Sequence, residues 1–370
     1  MAAIGLLDIP PEIQLQIAES VETHQALKAL SVTSRSLRSI AQSILFETLE
    51  IDLGTELRGS VDDLLANPRI CAAIRFLALH GQVFFISPPQ NYEVKLSLIQ
   101  KMFPEMVGLR KVSIYHVDLS KMFLDAFLGI AANTPLQIYL VGNIYPHGII
   151  STPHTPLQIS HLQFSLDHHS LELCRSMFHA SAATLTVLSI MADKDEFMEL
   201  ADINLPSLHD LTLLITRVNE VSRTSAAAFI TAQKAIRKLD LRGIMCALPP
   251  IPPNALPNLR ELKGSPEQVY QLVPGRPVEA IDVAPPPYAY SSPHDYDQDW
   301  FREEVAQSTA RVRMLRLHLN VGIPDTRMVK RMVTILPFLE TLWLPVFGDV
   351  SWPFRSITKS LAAHFPSDTP

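Results

Sequence analysis

From about residue 74 onward the chain repeats one arrangement of apolar positions, apolar-x-x-apolar-x-apolar. It reads Ile74, Leu77, Leu79; then Leu109, Val112, Ile114; Ile159, Leu162, Phe164; Leu185, Leu188, Ile190; Leu208, Leu211, Leu213; and Ile236, Leu239, Leu241. Further copies follow at Val278, Ile281, Val283; Val312, Leu315, Leu317; and Leu339, Leu342, Leu344, with weaker ones at Leu136 to Leu140 and Leu259 to Leu262. The last two apolar positions of each copy alternate with polar ones, the period of a strand with one buried face. The segments between copies have helical spacing, and several open on capping residues: Ser60 with Asp63, Ser120, Ser170, Ser265 before Pro266, and Asp325 or Thr326. Strand then helix, recurring in one direction, predicts an α/β chain with a curved parallel sheet and helices outside it. A doubly wound α/β sheet is the alternative, since strand-helix order alone does not separate the two.

The first fifty residues follow a different rule. Pro10 and Pro11 open a helix after Asp8, because proline is preset for a first turn and lacks a donor that would be orphaned there. Ile13, Ile17 and Val21 then fall on one helical face. Segments from His24 to Thr33 and from Ser34 to Thr48 read as two more short helices, showing Leu27 and Leu30, then Leu37, Ile40, Ile44 and Leu45. Three helices of this length make a thin core.

These residues resemble the F-box. The matching pieces are Ile9-Pro10-Pro11-Glu12-Ile13, then Ile17, Leu27-Lys28-Ala29-Leu30, Ser34-Arg35-Ser36-Leu37 and Leu45-Phe46. Ile9 stands where the family has leucine, and no tryptophan occurs between Ser34 and Arg38. The resemblance implies a helical domain over residues 7–50 that docks on the Skp-type adaptor of a cullin-RING ubiquitin ligase. Ile9, Pro10, Pro11, Ile13, Ile17, Leu27, Leu30 and Leu37 would carry that contact. The rest of the chain would select a substrate protein.

The recurring pattern of residues 55–365 resembles degenerate leucine-rich repeats, about eleven of them at a spacing averaging about 26 residues. The family places Asn or Cys three positions after the third apolar residue, and only Asn143 and Asn320 do so here. In such an array the residues between buried strand positions share one surface. It would present Phe76, His80, Lys111, Ser113, Tyr115, Gln137, Tyr139, Gln163 and Ser165. Farther along it would present Asp210, Thr212, Lys238, Asp240, Arg242, Arg316, His318 and Trp343. Tyr115, Tyr139, Lys238, Arg242, Arg316, His318 and Trp343 are the candidate substrate contacts, because Tyr, Trp and Arg concentrate at binding hot spots.

Two proline-rich stretches interrupt the array. Leu248 to Pro253 reads as a short rigid connector, and residues 284–299 as a proline-rich, then acidic, insertion. Its Pro285-Pro286-Pro287-Tyr288 is either a docking motif for a WW-type module or a loop between repeats.

Composition narrows the function further. Apolar residues make up 47% of the 370 and charged ones 18%, enough for a large core and against wholesale disorder. A net charge of −6 argues against nucleic acid as partner. Cys71, Cys174 and Cys246 are far apart and odd in number, which suggests buried thiols in a reducing compartment, cytoplasmic or nuclear. Residues 1–7 lack the features of a secretory signal, and the charge-free run from Ala126 to Leu166 is cut by Pro135, Pro146, Pro153 and Pro156, so no membrane span is expected. No nucleophile elbow, phosphate loop, His-Glu-x-x-His or Cys-x-x-Cys occurs. His161, His168, His169, Cys174 and His179, with Asp167, lack standard zinc spacing. The expectation is a non-enzymatic binding protein without metal or cofactor. A plain repeat scaffold that binds no adaptor is the alternative.

Overall fold

The computed structural model describes residues 9–21, 23–54, 67–81, 92–145, 155–166, 170–192, 199–215, 219–244, 247–283, 303–317 and 332–343. The expected caps at Ser60 and at Asp325 or Thr326, the insertion at 284–299 with its Pro-Pro-Pro-Tyr, Asn320 and His318 lie outside the described residues. The chain divides into two compact units, Met1–Ser165 and Leu166–Pro370.

The first unit opens with three helices, α1 (Pro11–Glu19), α2 (His24–Ser31) and α3 (Arg35–Leu45). Pro11 occupies the first turn of α1, as proline's fixed φ favours. Thr23 Oγ1 accepts the Ala26 N–H and Ser34 Oγ the Leu37 N–H, so α2 and α3 each begin on a side-chain cap. α3 packs against both other helices. Leu27 and Leu37, at 4% and 2% exposure, fill the space between them with Ala18 and Ala41. The inward face of α1 is not the predicted Ile13, Ile17 and Val21. It is Gln14 and Ala18, with Ile13 exposed and Ile17 and Val21 half-buried. Gln14 rotates the helix this way: its Nε2 donates to the Ile9 carbonyl and its Oε1 accepts from Ser36 Oγ, tying the entry to α1 and to α3 at once.

α3 stops at Leu45 rather than Thr48, because the chain turns there into a strand that the repeat pattern did not include. β1 (Thr48–Asp52) pairs in parallel with β2 (Phe76–His80), and β3 (Lys111–Tyr115), β4 (Leu136–Val141) and β5 (Ile159–Ser165) follow in sequence order. Between them lie α4 (Pro68–Ala73), α5 (Tyr92–Met102) and α6 (Lys121–Asn133). Ser120 Oγ accepts the Phe123 N–H and so caps α6. The second unit continues with β6 (Val187–Ala192), β7 (Asp210–Ile215), β8 (Lys238–Ile244), β9 (Glu261–Gly264), β10 (Ala280–Val283), β11 (Met314–Leu317) and β12 (Thr341–Trp343). They too pair in parallel and in order, with α7 (Leu171–Ser181), α8 (Glu220–Ala232) and α9 (Pro266–Leu272) among them. Among the described strands of either unit the order does not reverse, as a doubly wound sheet would require. This is the strand-helix succession expected of leucine-rich-repeat-like units.

The register explains the order. Leu77, Val112, Ile138 and Leu162 lie opposite one another in the first unit, and Leu188, Leu211, Leu239, Leu262, Ile281, Leu315 and Leu342 in the second. None of the eleven exceeds 3% exposure. Slipping any strand by one residue would turn its apolar set outward. Truncating a fully buried leucine of this row to alanine typically costs about 2 to 5 kcal/mol.

Where the chain leaves a strand, buried polar side chains take up the backbone. Asn143 accepts the Val117 N–H and donates to the Ile114 carbonyl. Gln233 accepts from Leu205 N–H and donates to Ile203, while Gln268 bridges Ser265 N–H and the Ile244 carbonyl. The largest such device is Arg276, 1% exposed, whose guanidinium donates to the carbonyls of Ile251, Pro252, Ala255 and Leu272 at 2.7–3.1 Å. The Leu248-to-Pro253 connector carries four prolines and so few backbone donors of its own, and Arg276 supplies them from outside. Burial pushes the guanidinium's pKa down, but four carbonyls hold the charge. Replacing Arg276 with alanine strands these acceptors, and the expected loss is more than about 2 kcal/mol of stability, read as a lower urea midpoint.

Candidate functional site

The outward rows of the two units differ in chemistry. In the first unit, register aligns Glu50, Ala78, Ser113, Tyr139 and Gln163, flanked by Phe76, Lys111, Gln137 and His161 on one side. His80 stacks on Tyr115 with ring centroids 5.2 Å apart and planes 11° apart, and Lys111 Nζ lies 4.4 Å from the centre of the Tyr139 ring. Tyr115 and Tyr139 are both half-buried, each with one ring face against a neighbouring strand's side chain.

In the second unit the outward rows are ladders of alternating charge. One runs Asp210, Lys238, Glu261; the next runs Thr212, Asp240, Lys263, Asp282 and on through Arg316 to Trp343. Lys238 Nζ sits 3.8 Å from Asp210 and 3.7 Å from Glu261, and Lys263 sits 3.2 Å from Glu261. Arg316 lies 3.4 Å from Asp282 and 5.1 Å from the centre of the Trp343 ring. Parallel strands bring successive repeats within roughly 4.8 Å, so opposite charges at equivalent positions meet directly. Four of the predicted contact residues, Lys238, Arg242, Arg316 and Trp343, therefore already have partners in their own sheet.

Arg242 reaches its partner by a different route. Thr212 pairs with Asp240 and Leu214 with Gly243, so Leu241 and Arg242 together face Leu213, a β-bulge. The bulge turns Arg242 back onto Asp240: Nη2 lies 2.6 Å and Nε 3.0 Å from the carboxylate, and the Arg242 N–H donates to the same group at 3.1 Å. This bonding raises the guanidinium's pKa. Gly243 permits the bulge, since a Cβ there would lie 2.7 Å from Leu214 Cα.

The apolar pattern does not single out Glu261, Lys263 and Asp282, which the structure adds to the outward face. The copy that holds Glu261 and Lys263 is irregular, with Gly264 where a third apolar residue belongs, while Asp282 lies in the full copy Val278, Ile281, Val283 but is only 5% exposed. Aligning Leu262 with Leu239 and Ile281 is the signal that places all three in the charged rows.

At the N-terminal helices, Pro10, Pro11 and Ile13 are exposed, Ile9, Ile17 and Leu30 half-buried, and Leu27 and Leu37 buried in the helices' own core. Leu15 and Val32, at 38% and 73% exposure, add to the accessible apolar surface. Cys71 and Cys174 are buried thiols outside any disulfide, and burial raises the pKa of both, which makes them poor nucleophiles. Cys174 faces inward from α7 while His179 on the same helix is exposed; His168, His169, Asp167 and Cys246 lie outside the described residues. No group of metal-ligating side chains gathers among the described residues, and no described helix is long and apolar enough to cross a membrane.

The ladder predicts an ordering of stabilities. Asp282 is the buried member, so Asp282→Ala, which removes the carboxylate beside Arg316, should cost about 1–3 kcal/mol. Lys238→Ala, removing an exposed partner, should change stability by less than about 0.5 kcal/mol. Urea denaturation of the two single variants checks the difference.

No protein-family model matches the chain, and no curated protein matches it. Among solved structures it is similar to one described as the crystal structure of the Rad7 and Elc1 complex in yeast. Identity is 11% and the TM-score 0.39, and the match covers 92% of this chain and 88% of that one.

Proposed function

We propose that the chain is a non-enzymatic substrate-recognition subunit of a Skp/cullin/F-box type ubiquitin ligase, its N-terminal helices binding the Skp-type adaptor and its strand faces binding a substrate protein. One observation carries the reading. α1 turns a glutamine and an alanine inward and leaves Pro10, Pro11, Ile13 and Leu15 accessible, on the segment whose residues match the F-box pattern. A helix normally hides its apolar residues. Here a buried hydrogen-bonded Gln14 holds the reverse orientation, so the exposed patch is built in and suits a partner's apolar surface. Leu27 and Leu37 are buried in the helices' own core, and Ile9, Ile17 and Leu30 are half-buried.

A second reading, a repeat scaffold that binds no adaptor, draws on the second unit. There Lys238, Arg242 and Arg316 are engaged by neighbouring carboxylates, as a structural surface would have them. Substrate contacts in that unit would have to displace or extend the ladder, with the Arg316–Trp343 stack as its apolar end.

Replacing Pro10 with serine and Ile13 with aspartate should abolish adaptor co-purification while the far-ultraviolet circular dichroism and thermal midpoint stay unchanged, because neither residue is in the core. Loss of a central apolar anchor is worth more than about 2 kcal/mol of binding, near thirtyfold in affinity. Undiminished adaptor capture by the folded double variant would remove Pro10 and Ile13 from the adaptor contact, and no capture by the wild-type chain would leave the scaffold reading standing. For the substrate surface, an Arg242, Arg316 and Trp343 triple alanine variant should lose co-purifying proteins other than the adaptor. An unchanged set would remove these residues from the receptor surface.

A further inference from the structure

A groove of about 350 Å³ lies between α3 and α4 in the first unit, and its charge is unlike that of the paired ladders in the second. Arg35 and Arg38 line it from α3 and Arg69 from α4, with Ser39, Ser43 and Ile70 also on its wall. All three arginines are exposed. Among the described residues none is in an ion pair; Arg38 Nε donates only to the Ser31 carbonyl, at 3.1 Å. Among the described residues, no acidic one lines the groove. In a chain of net charge −6, three unpaired guanidiniums converging on one concavity is a local reversal of sign.

We infer that this groove binds a phosphorylated peptide segment of a protein partner. Guanidinium is a planar fork that matches phosphate oxygens two at a time, and the Ser39 hydroxyl adds a donor a phosphate can accept from, Ser43 already donating to the Ile40 carbonyl at 2.7 Å. A phosphoserine carries close to two negative charges at neutral pH, so three arginines can balance one or two such groups. The apolar wall at Ile70 and Ala73 fits the carbon atoms of a peptide beside its phosphate, which a bare anion would leave unused. A long nucleic-acid backbone would need a basic stripe, whereas this charge is confined to one groove on an acidic chain. The inference stands independently of adaptor binding, since the exposed Pro10 and Ile13 do not line the groove.

The test is fluorescence anisotropy of a labelled Gly/Ser decapeptide carrying two phosphoserines, titrated with the full chain at about 0.15 M salt. The phosphopeptide should bind at least about tenfold more tightly than the same peptide unphosphorylated, and more tightly than its glutamate version. Arg35→Ala, Arg38→Ala and Arg69→Ala together should bring it to the unphosphorylated level. The matching triple lysine variant should retain weaker binding, and Arg260→Ala with Arg313→Ala, in the second unit, should change nothing. If the triple alanine chain does not melt as the wild type does, Arg69→Ala alone, an exposed position, should weaken binding about threefold or more. Equal affinity for phosphorylated and unmodified peptides, or tight binding kept by the folded triple alanine variant, overturns the inference. So does a single-stranded oligonucleotide that binds more tightly than the phosphopeptide and is lost in the same variant.

Discussion

The structure depends on a single constraint of register. Within each unit the strands from β2 onward present their second apolar position to one buried row, and because strand side chains alternate with period two, fixing that row fixes which residues face outward. The row Leu188, Leu211, Leu239, Leu262, Ile281, Leu315, Leu342 tolerates no slip, and so Asp240, Lys263, Asp282 and Arg316 are forced side by side. Had those positions carried like charges, the same register would have stacked them at the strand spacing and opposed folding. The alternation of sign across four repeats is thus a condition of the core. It is no accident of the surface.

The irregularity of the repeats has an equally local cause. A leucine-rich-type turn exposes backbone groups to a dry interior, and regular arrays answer with one asparagine per repeat. Asn143 does this at the end of β4. Elsewhere the donors come from different elements: Gln233 from just past the end of α8, Gln268 from within α9 and Arg276 from the turn after α9. A longer side chain reaches a carbonyl from farther away, so the intervening segment is free to vary in length and composition. Four prolines in the connector before β9 are compatible with a buried position because Arg276 brings several donors to their carbonyls.

Much of this is legible in the sequence. The strands marked by a full apolar-x-x-apolar-x-apolar run appear where the run falls, wherever those residues are described, and Leu77, Val112, Leu188, Leu239 and Leu315 are all buried at 1% or less. β1 carries the run as well, at Phe46, Leu49 and Ile51, but the run starts at the C-cap of α3, where Ile44, Leu45 and Phe46 also read as the end of a helix. Periodicity misorients α1 because it counts Ile13 and Ile17 as inward and has no place for a buried glutamine that bonds to Ile9 and Ser36. The bulge at Arg242 is unreadable for a related reason: Asp240, Leu241, Arg242 alternates like any strand, and only Gly243 hints that two backbones come closer than a side chain allows. Site residues are the harder part. Sequence places Lys238, Arg242 and Arg316 on the outward face but has no means of showing that each meets a carboxylate.

That difference between being outward and being available separates the cations of this chain into two groups. On the second unit's face, Lys238, Lys263, Arg242 and Arg316 sit within 4 Å of acidic neighbours, and a ligand would have to compete with a carboxylate already held at strand spacing. Such competition costs the ligand most at Asp282, which is nearly dry and whose attraction for Arg316 is least screened by water. Among the described residues lining their groove, Arg35, Arg38 and Arg69 face no such competitor. Exposed apolar atoms follow the same logic: Pro10 and Ile13 lie open because Gln14 holds α1, whereas Leu27 and Leu37 are spent on the core. Availability is therefore set by what each residue's neighbours leave unsatisfied. The open apolar patch around Pro10 and Ile13 and the arginines of the groove both belong to the helical segments that precede β2, so the part of the chain with the thinnest core is also the part left with surface to offer a partner.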